Sequence, residues 1–266
     1  MSESAPVLLH NEHYPTSTSV DAFRHRIALV QQRIDQACLR NGRASGDVRL
    51  LVVSKTFGTD RIRLAYQAGC RVLGENKVQE AERKYEELHE ELPDLQWSVI
   101  GHLQSNKAKS VARFAAEFQA LDKLKTAETL DRRLQIEGRS LDVFVQVNTS
   151  GEASKFGLPP EEVHDFVRAL PQFSALRVKG FMTLALMDAD PERVRPCFVL
   201  LRQLRDQIRN DIGHAQDMCE LSMGMSGDYE IAIEEGATVV RVGQAIFGAR
   251  STPNNYYWPE AQLETP

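Results

Sequence analysis

The feature that most constrains this chain is an alternation of eight short apolar or β-branched runs with stretches of helical periodicity. The runs are VRLLVVS (48–54), CRVLG (70–74), QWSVIG (96–101), FQALD (118–122), LDVFVQVN (141–148), LRVKGFMTL (176–184), CELSMG (219–224) and TVVRVGQAIFG (238–248). Helical stretches are predicted between them at 60–68, 77–92, 106–115, 125–138, 160–170, 191–210 and 226–235. A strand followed by a crossover helix returns parallel to its predecessor, so the pattern demands a parallel sheet covered by helices. Eight such strands fit a closed (β/α)8 barrel better than an open doubly wound sheet, which typically has fewer.

A further helix precedes the alternation. Phe23, Ile27, Val30, Ile34 and Ala37 recur at three- and four-residue intervals and stop at Asn41-Gly42, which predicts an amphipathic helix over 20–41. Residues 1–19, with two prolines, several Ser and Thr and no periodicity, read as a flexible arm, and 251–266 read as an irregular tail. One barrel domain is thus expected over 20–250. The full 266 residues, 42% of them hydrophobic, suffice for a single core of this kind.

Composition narrows the function. A net charge of −5 gives no basic footprint for nucleic acid or an anionic membrane, so a small soluble ligand is expected. Cys38, Cys70, Cys197 and Cys219 stand far apart with no CxxC pair and no His at ligand spacing, and read as reduced thiols without a metal or disulfide. The N-terminal residues lack a basic start with a long apolar run, and no stretch approaches the roughly 18 apolar residues of a membrane span. Cytoplasmic localisation is the expectation.

In a parallel barrel the functional face lies at the C-terminal ends of the strands. Lys55 closes the run LLVVS and is expected at that mouth, where desolvation favours the neutral amine, a nucleophile toward an aldehyde. A lysine that snorkels at the strand end or pairs with Glu75 is the alternative. Late in the chain, GMSGDYEIAIEEG predicts a glycine-flanked turn with a helix starting near Ser226, and RVGQAIFG places Gly243 just past the last strand. Helix N-termini and close backbone approach suit a phosphate, which barrels often bind after strands seven and eight. Each segment read alone is also satisfied by an N-cap at Ser226 and a turn at Gly243.

A strand-end lysine opposite a phosphate cradle is the constellation expected for pyridoxal 5′-phosphate. Arg241 then has a role beside the pyridine nitrogen, donating a hydrogen bond that keeps this nitrogen unprotonated and the ring a weak electron sink. A barrel-interior ion pair with Glu75 or Glu220 is the competing reading of Arg241.

The segments VVSKT (52–56), GENKVQEA (74–81), IGHLQSNK (100–107), VQVNTSGEASKFGL (145–158), GFMTLA (180–185) and LSMGMSGDYEIAIEEGATVVRVGQAIFGAR (221–250) resemble the YggS/PROSC-type pyridoxal-phosphate homeostasis proteins. The resemblance spans about residues 20–250, with six motifs in order. It implies a monomeric barrel similar to the N-terminal domain of alanine racemase, with the cofactor as a Schiff base on Lys55. It further implies that Ser226 and the backbone around Met225, Gly243 and Gln244 hold the phosphate, that Arg241 faces the pyridine nitrogen, and that Asn76 lies near the cofactor. Lys77 stands where the family usually carries Tyr, and Gln244 where Thr is common, so a hydroxyl contact to phosphate at 244 does not carry over.

A racemase of this fold needs a second acid/base from an additional β domain of the partner subunit. Only about sixteen residues follow Arg250, and Tyr256 and Tyr257 fall in the irregular tail. Binding, buffering and delivery of the cofactor are therefore expected rather than turnover, with apo-enzymes as possible recipients. A low-activity racemase or lyase is the runner-up, and a phosphosugar-binding barrel a third reading. Lys107 and Lys155 are candidates for accepting the cofactor during transfer, and His102 and Glu75 for assisting proton movement.

Overall fold

The eight runs form eight parallel strands that close on themselves in the order β1-β2-β3-β4-β5-β6-β7-β8. This computed structural model describes residues 14–249 apart from 153, 187 and 189. In chain order the elements are α1 (Val20–Arg40), β1 (Arg49–Val53), α2 (Thr59–Gln67), β2 (Val72–Glu75), α3 (Val78–Leu88), β3 (Gln96–Val99), α4 (Ala108–Phe114), β4 (Glu117–Leu121) and α5 (Leu124–Glu137). They continue with β5 (Leu141–Gln146), α6 (Val163–Ala169), β6 (Leu176–Met182), α7 (Pro191–Asp211), β7 (Glu220–Ser222), α8 (Tyr229–Glu234), β8 (Val239–Val242) and α9 (Gln244–Phe247). The barrel closes where β1 pairs with β8, Leu51 lying opposite Arg241 and Val52 opposite Val242.

Strand burial follows from this closure. Helices cover the outer face and side chains fill the interior, so β4 is buried at every position and β8 likewise. Gly74 on β2 suits this packing, since a Cβ there would stand 3.3–3.4 Å from side-chain atoms of Val53, Ile100 and Leu51. The preceding helix forms as its periodicity predicts: Ser19 caps it, accepting the Ala22 N–H, and Phe23, Val30, Ile34 and Ala37 are buried. Cys38, Cys70 and Cys197 are buried and Cys219 is exposed.

The ordered fold begins earlier than the composition suggests. Ser17 is fully buried, its N–H donating to the Phe247 carbonyl at 3.0 Å and its hydroxyl to the Ile246 carbonyl at 2.6 Å. The Ala249 N–H donates to the Tyr14 carbonyl, so residues 14–17 pair with the residues that follow β8. Polar residues that read as an arm are here spent on backbone acceptors of a distant segment, which leaves no periodic signature. Residues 1–13, Arg250 and the tail 251–266, with Tyr256 and Tyr257, lie outside the described residues. Among the described residues no helix is long and apolar enough to cross a membrane.

Candidate functional site

Lys55 lies two residues past the end of β1 and is 8% exposed. Its neighbours on both sides are anchored to α3 by a buried charge cluster. The fully buried Lys84 ammonium donates to the Ser54 carbonyl at 3.0 Å, to Glu75 Oε1 at 2.7 Å and to Glu80 Oε1 at 2.7 Å. The Ser54 hydroxyl donates to the same Glu75 oxygen at 2.6 Å, and the Thr56 N–H donates to Glu80 Oε1 at 2.7 Å. Thr56 is held at φ +75°, the one non-glycine residue with positive φ among those described. Such a conformation persists only where surrounding bonds impose it, and the Glu80 contact does so directly beside Lys55.

Glu75 Oε1, the acidic group considered as a partner for Lys55, is engaged by Lys84 and Ser54. Burial pushes the Glu75 carboxyl up to about 7, against the opposing pull of Lys84. Glu75 is fully buried and reaches α3, so it anchors the β1 turn.

At the ends of β7 and β8 the construction is different. The predicted helix start at Ser226 is displaced: α8 begins at Tyr229, and residues 225–228 form a turn. The Asp228 carboxylate accepts the Met225 N–H, while the N–H groups of Asp228 and Tyr229 both donate to the Met225 carbonyl, at 3.1 and 2.9 Å. Ser226 is therefore a turn residue and not the N-cap, and Met225 contributes an N–H that is already spent. Among the described residues, the N–H groups of Ser226, Gly227, Gly243 and Gln244 donate to no protein acceptor. Gly243 packs closely on β1, where a Cβ would stand 3.1 Å from the Val53 carbonyl oxygen. Two turns on adjacent strands thus present N–H groups without protein acceptors.

Arg241 lies inside the barrel, 3% exposed. It forms neither of the ion pairs considered for it. Nη1 donates to Ser222 Oγ at 2.6 Å and Nη2 to the Thr183 carbonyl at 2.7 Å. Glu75 is bound by Lys84, and Glu220 lies 3.9 Å from Arg49 and 4.0 Å from Lys179. Burial lowers the Arg241 guanidinium to about 10, with Asp228 and Glu117 acting in the opposite sense, so it is charged at neutral pH.

Lys55, Asn76, Met225, Ser226, Arg241, Gly243 and Gln244 therefore stand at or just beyond four consecutive strands, β7, β8, β1 and β2. Asn76 is in close backbone contact with the next loop, for a Cβ on Gly101 would fall 2.1 Å from the Asn76 carbonyl oxygen. The other candidates belong to the β3–β6 half. Lys107 ends a short 3-10 turn, Ser105–Lys107. Lys155 donates to the Ala185 carbonyl at 2.8 Å and pairs with Glu152. His102 stacks on Phe156, ring centroids 4.2 Å apart, with Asp122 4.0 Å from its Nδ1. Burial lowers the His102 pKa and raises that of Asp122.

The sequence reading missed Lys84, Glu80 and Asp228. Lys84 had a signal: it shares a buried stripe with Val78, Ala81 and Leu88, where a lysine requires a buried acid.

The barrel and its site define a class, that of the alanine racemase N-terminal domain, whose family model matches residues 18–251. Similar curated proteins are the pyridoxal phosphate homeostasis proteins of Aquifex aeolicus (40% identity, 85% of this chain and 97% of the relative) and Pseudomonas aeruginosa (42%, 87% and 97%). That of Bos taurus is 37% identical over 89% of this chain and 90% of the relative. The chain belongs to the pyridoxal phosphate homeostasis protein family. Among solved structures, PipY of Synechococcus elongatus with pyridoxal phosphate bound superposes with a TM-score of 0.75 at 32% identity, covering 85% of this chain and 100% of that one. An alanine racemase of Clostridium difficile shares the fold at a TM-score of 0.68 and 13% identity, with 91% of this chain covering 60% of it.

Proposed function

We propose that this chain binds pyridoxal 5′-phosphate covalently through Lys55 and acts in vitamin B6 homeostasis, holding the cofactor and delivering it or buffering its free concentration. The observation that carries this reading is the pairing of a buried strand-end lysine with four unpartnered N–H groups at the adjacent ends of β7 and β8. A phosphate needs such donors. The PipY structure with pyridoxal phosphate bound and the naming of the relatives support the same assignment.

In this reading Lys55 supplies the amine that joins the cofactor aldehyde. Ser226 and the backbone at Met225, Gly243 and Gln244 hold the phosphate, with the donors coming from Ser226, Gly243 and Gln244 because the Met225 N–H is engaged by Asp228. Asn76 borders the ring. Bound pyridoxal phosphate supplies a reactive carbonyl and a ring that accepts electrons. Arg241, charged and held by Ser222 and Thr183, donates toward the ring nitrogen and keeps the proton off it, which limits that electron acceptance. The protein is thus a carrier without substantial turnover, working in the cytoplasm as a monomer and passing cofactor to apo-enzymes. Lys107 and Lys155 take part in that transfer.

Adding pyridoxal phosphate to the purified chain is expected to produce a visible imine band, whereas a phosphosugar-binding barrel would give none. Incubating the loaded protein with L- and D-amino acids separates the carrier from a low-activity racemase or lyase, since sustained racemisation or elimination contradicts the carrier reading. Activation of an apo-enzyme by the loaded protein is expected to slow in Lys155→Ala or Lys107→Ala, and an unchanged rate removes that lysine from the transfer step.

A further inference from the structure

A line of buried polar side chains crosses the barrel interior and ends on Arg241. The Arg241 Nη1–H donates to Ser222 Oγ at 2.6 Å, the Ser222 hydroxyl donates to Gln119 Oε1 at 2.6 Å, and Gln119 Nε2 donates to Glu117 Oε1 at 2.6 Å. Glu117 is held in turn by the Ser98 hydroxyl and by Arg49, each at 2.6 Å. Ser98, Gln119 and Ser222 are fully buried. The strands involved are β8, β7 and β4, with β1 and β3 at the far end. Because β4 and β7 are not neighbours in the sheet, the Ser222–Gln119 bond spans the interior rather than running along one strand pair.

The direction of every link is determined. A serine hydroxyl that accepts from a guanidinium must give its own proton onward. The Gln119 carbonyl oxygen takes it, which turns the amide NH₂ toward the one strong acceptor on that side, the Glu117 carboxylate. A carboxylate at one end and a guanidinium at the other polarise the neutral links between them in the same sense, and such chains specify a unique arrangement when fully satisfied. With Nη2 on the Thr183 carbonyl, both terminal nitrogens of Arg241 are located and the plane of the guanidinium is set.

We propose that Ser222, Gln119 and Glu117 are positioning residues that fix the orientation of Arg241 as the donor to the ring nitrogen of the bound cofactor. The cofactor part of this inference rests on the proposed function, whereas the relay belongs to the protein alone, so the test has one arm for each. In the first arm, guanidinium proton exchange is followed by NMR on the full chain without cofactor, with Arg241→Lys assigning the signal. Arg241 is expected to exchange far more slowly than the exposed Arg24, and about tenfold faster in Ser222→Ala and Gln119→Met than in the parent, as loss of one buried hydrogen bond implies. Exchange of Arg241 as fast as Arg24 in the parent overturns the relay whether or not the Ser222 and Gln119 variants fold. Unchanged protection in both folded variants overturns it as well.

In the second arm, each protein is loaded with pyridoxal phosphate and its absorbance is followed from pH 5 to 9. Ser222→Ala and Gln119→Met are expected to show a ring-nitrogen titration absent from the parent, and identical profiles contradict the positioning role. If the parent forms no adduct, the proposed function fails while the exchange arm still decides the relay.

Discussion

The two sides of the candidate site solve opposite problems with opposite materials. Around Lys55, at the ends of β1 and β2, the chain uses ionisable side chains: Lys84, Glu75 and Glu80 clamp the backbone on either side of one residue and hold Thr56 at positive φ. Across β7 and β8 the chain leaves backbone donors without protein acceptors. A covalent anchor must be immobile before its ligand arrives, so it needs a scaffold that is complete on its own. A phosphate site must be incomplete on its own, because the anion supplies the missing acceptors. The first side is therefore predicted to govern stability, and the second affinity.

Breaking the first side has the largest expected effect. Lys84→Ala leaves Glu75 and Glu80 without their shared cation, and is expected to destabilise the fold by about 3–5 kcal/mol in urea denaturation. A loss below about 1 kcal/mol would mean that the clamp is ornamental.

The pH dependence sharpens the same point. Glu75 titrates near 7 in the fold and near its ordinary 4.5 when unfolded, so the native state retains a proton that the unfolded chain gives up. Its contribution to stability is present below about 4.5 and is lost as the pH rises through about 7, a change on the order of 3 kcal/mol. Comparing denaturation midpoints from pH 4.5 to 8 should show this slope in the parent and its absence in Glu75→Gln.

On the other side, Gly243→Ala places a methyl 3.1 Å from the Val53 carbonyl oxygen and so shifts the turn that carries the Gly243 and Gln244 donors. Pyridoxal phosphate affinity is expected to fall about tenfold, and stability much less than in Lys84→Ala. Ser226→Ala has the smallest predicted effect, about three- to tenfold in affinity with no change in unfolding, since it removes one hydroxyl and keeps the backbone donors. If Gly243→Ala unfolds the chain while leaving affinity intact, the division between the two sides collapses.

The contrast also explains what could be read from residues alone. All eight strands lie within or beside the apolar runs, because β-branched residues buried on both faces leave continuous stretches that are hard to mistake. The four strand ends bearing the candidate residues follow from that count. The helix start near Ser226 did not survive, since Asp228 captures the Met225 N–H and delays α8 by three residues, a competition that local propensity does not resolve. The relay from Arg241 joins residues 103 positions apart, Ser222 and Gln119, and no periodicity links them. A weaker trace existed: Glu117 and Gln119 on β4, like Glu220 and Ser222 on β7, are polar at alternate positions of buried strands, which marks an interior polar layer.

The central claim is that Lys55, and no other lysine, joins the cofactor. The most direct measurement is to load the full chain with pyridoxal phosphate, reduce it with borohydride and map the modified peptide by mass spectrometry, with Lys55→Ala in parallel. The account predicts one stable adduct of a single pyridoxyl phosphate on Lys55, and loss of the visible band in the variant. An adduct on Lys107, Lys155 or another lysine of the parent, with Lys55 unmodified, would contradict it.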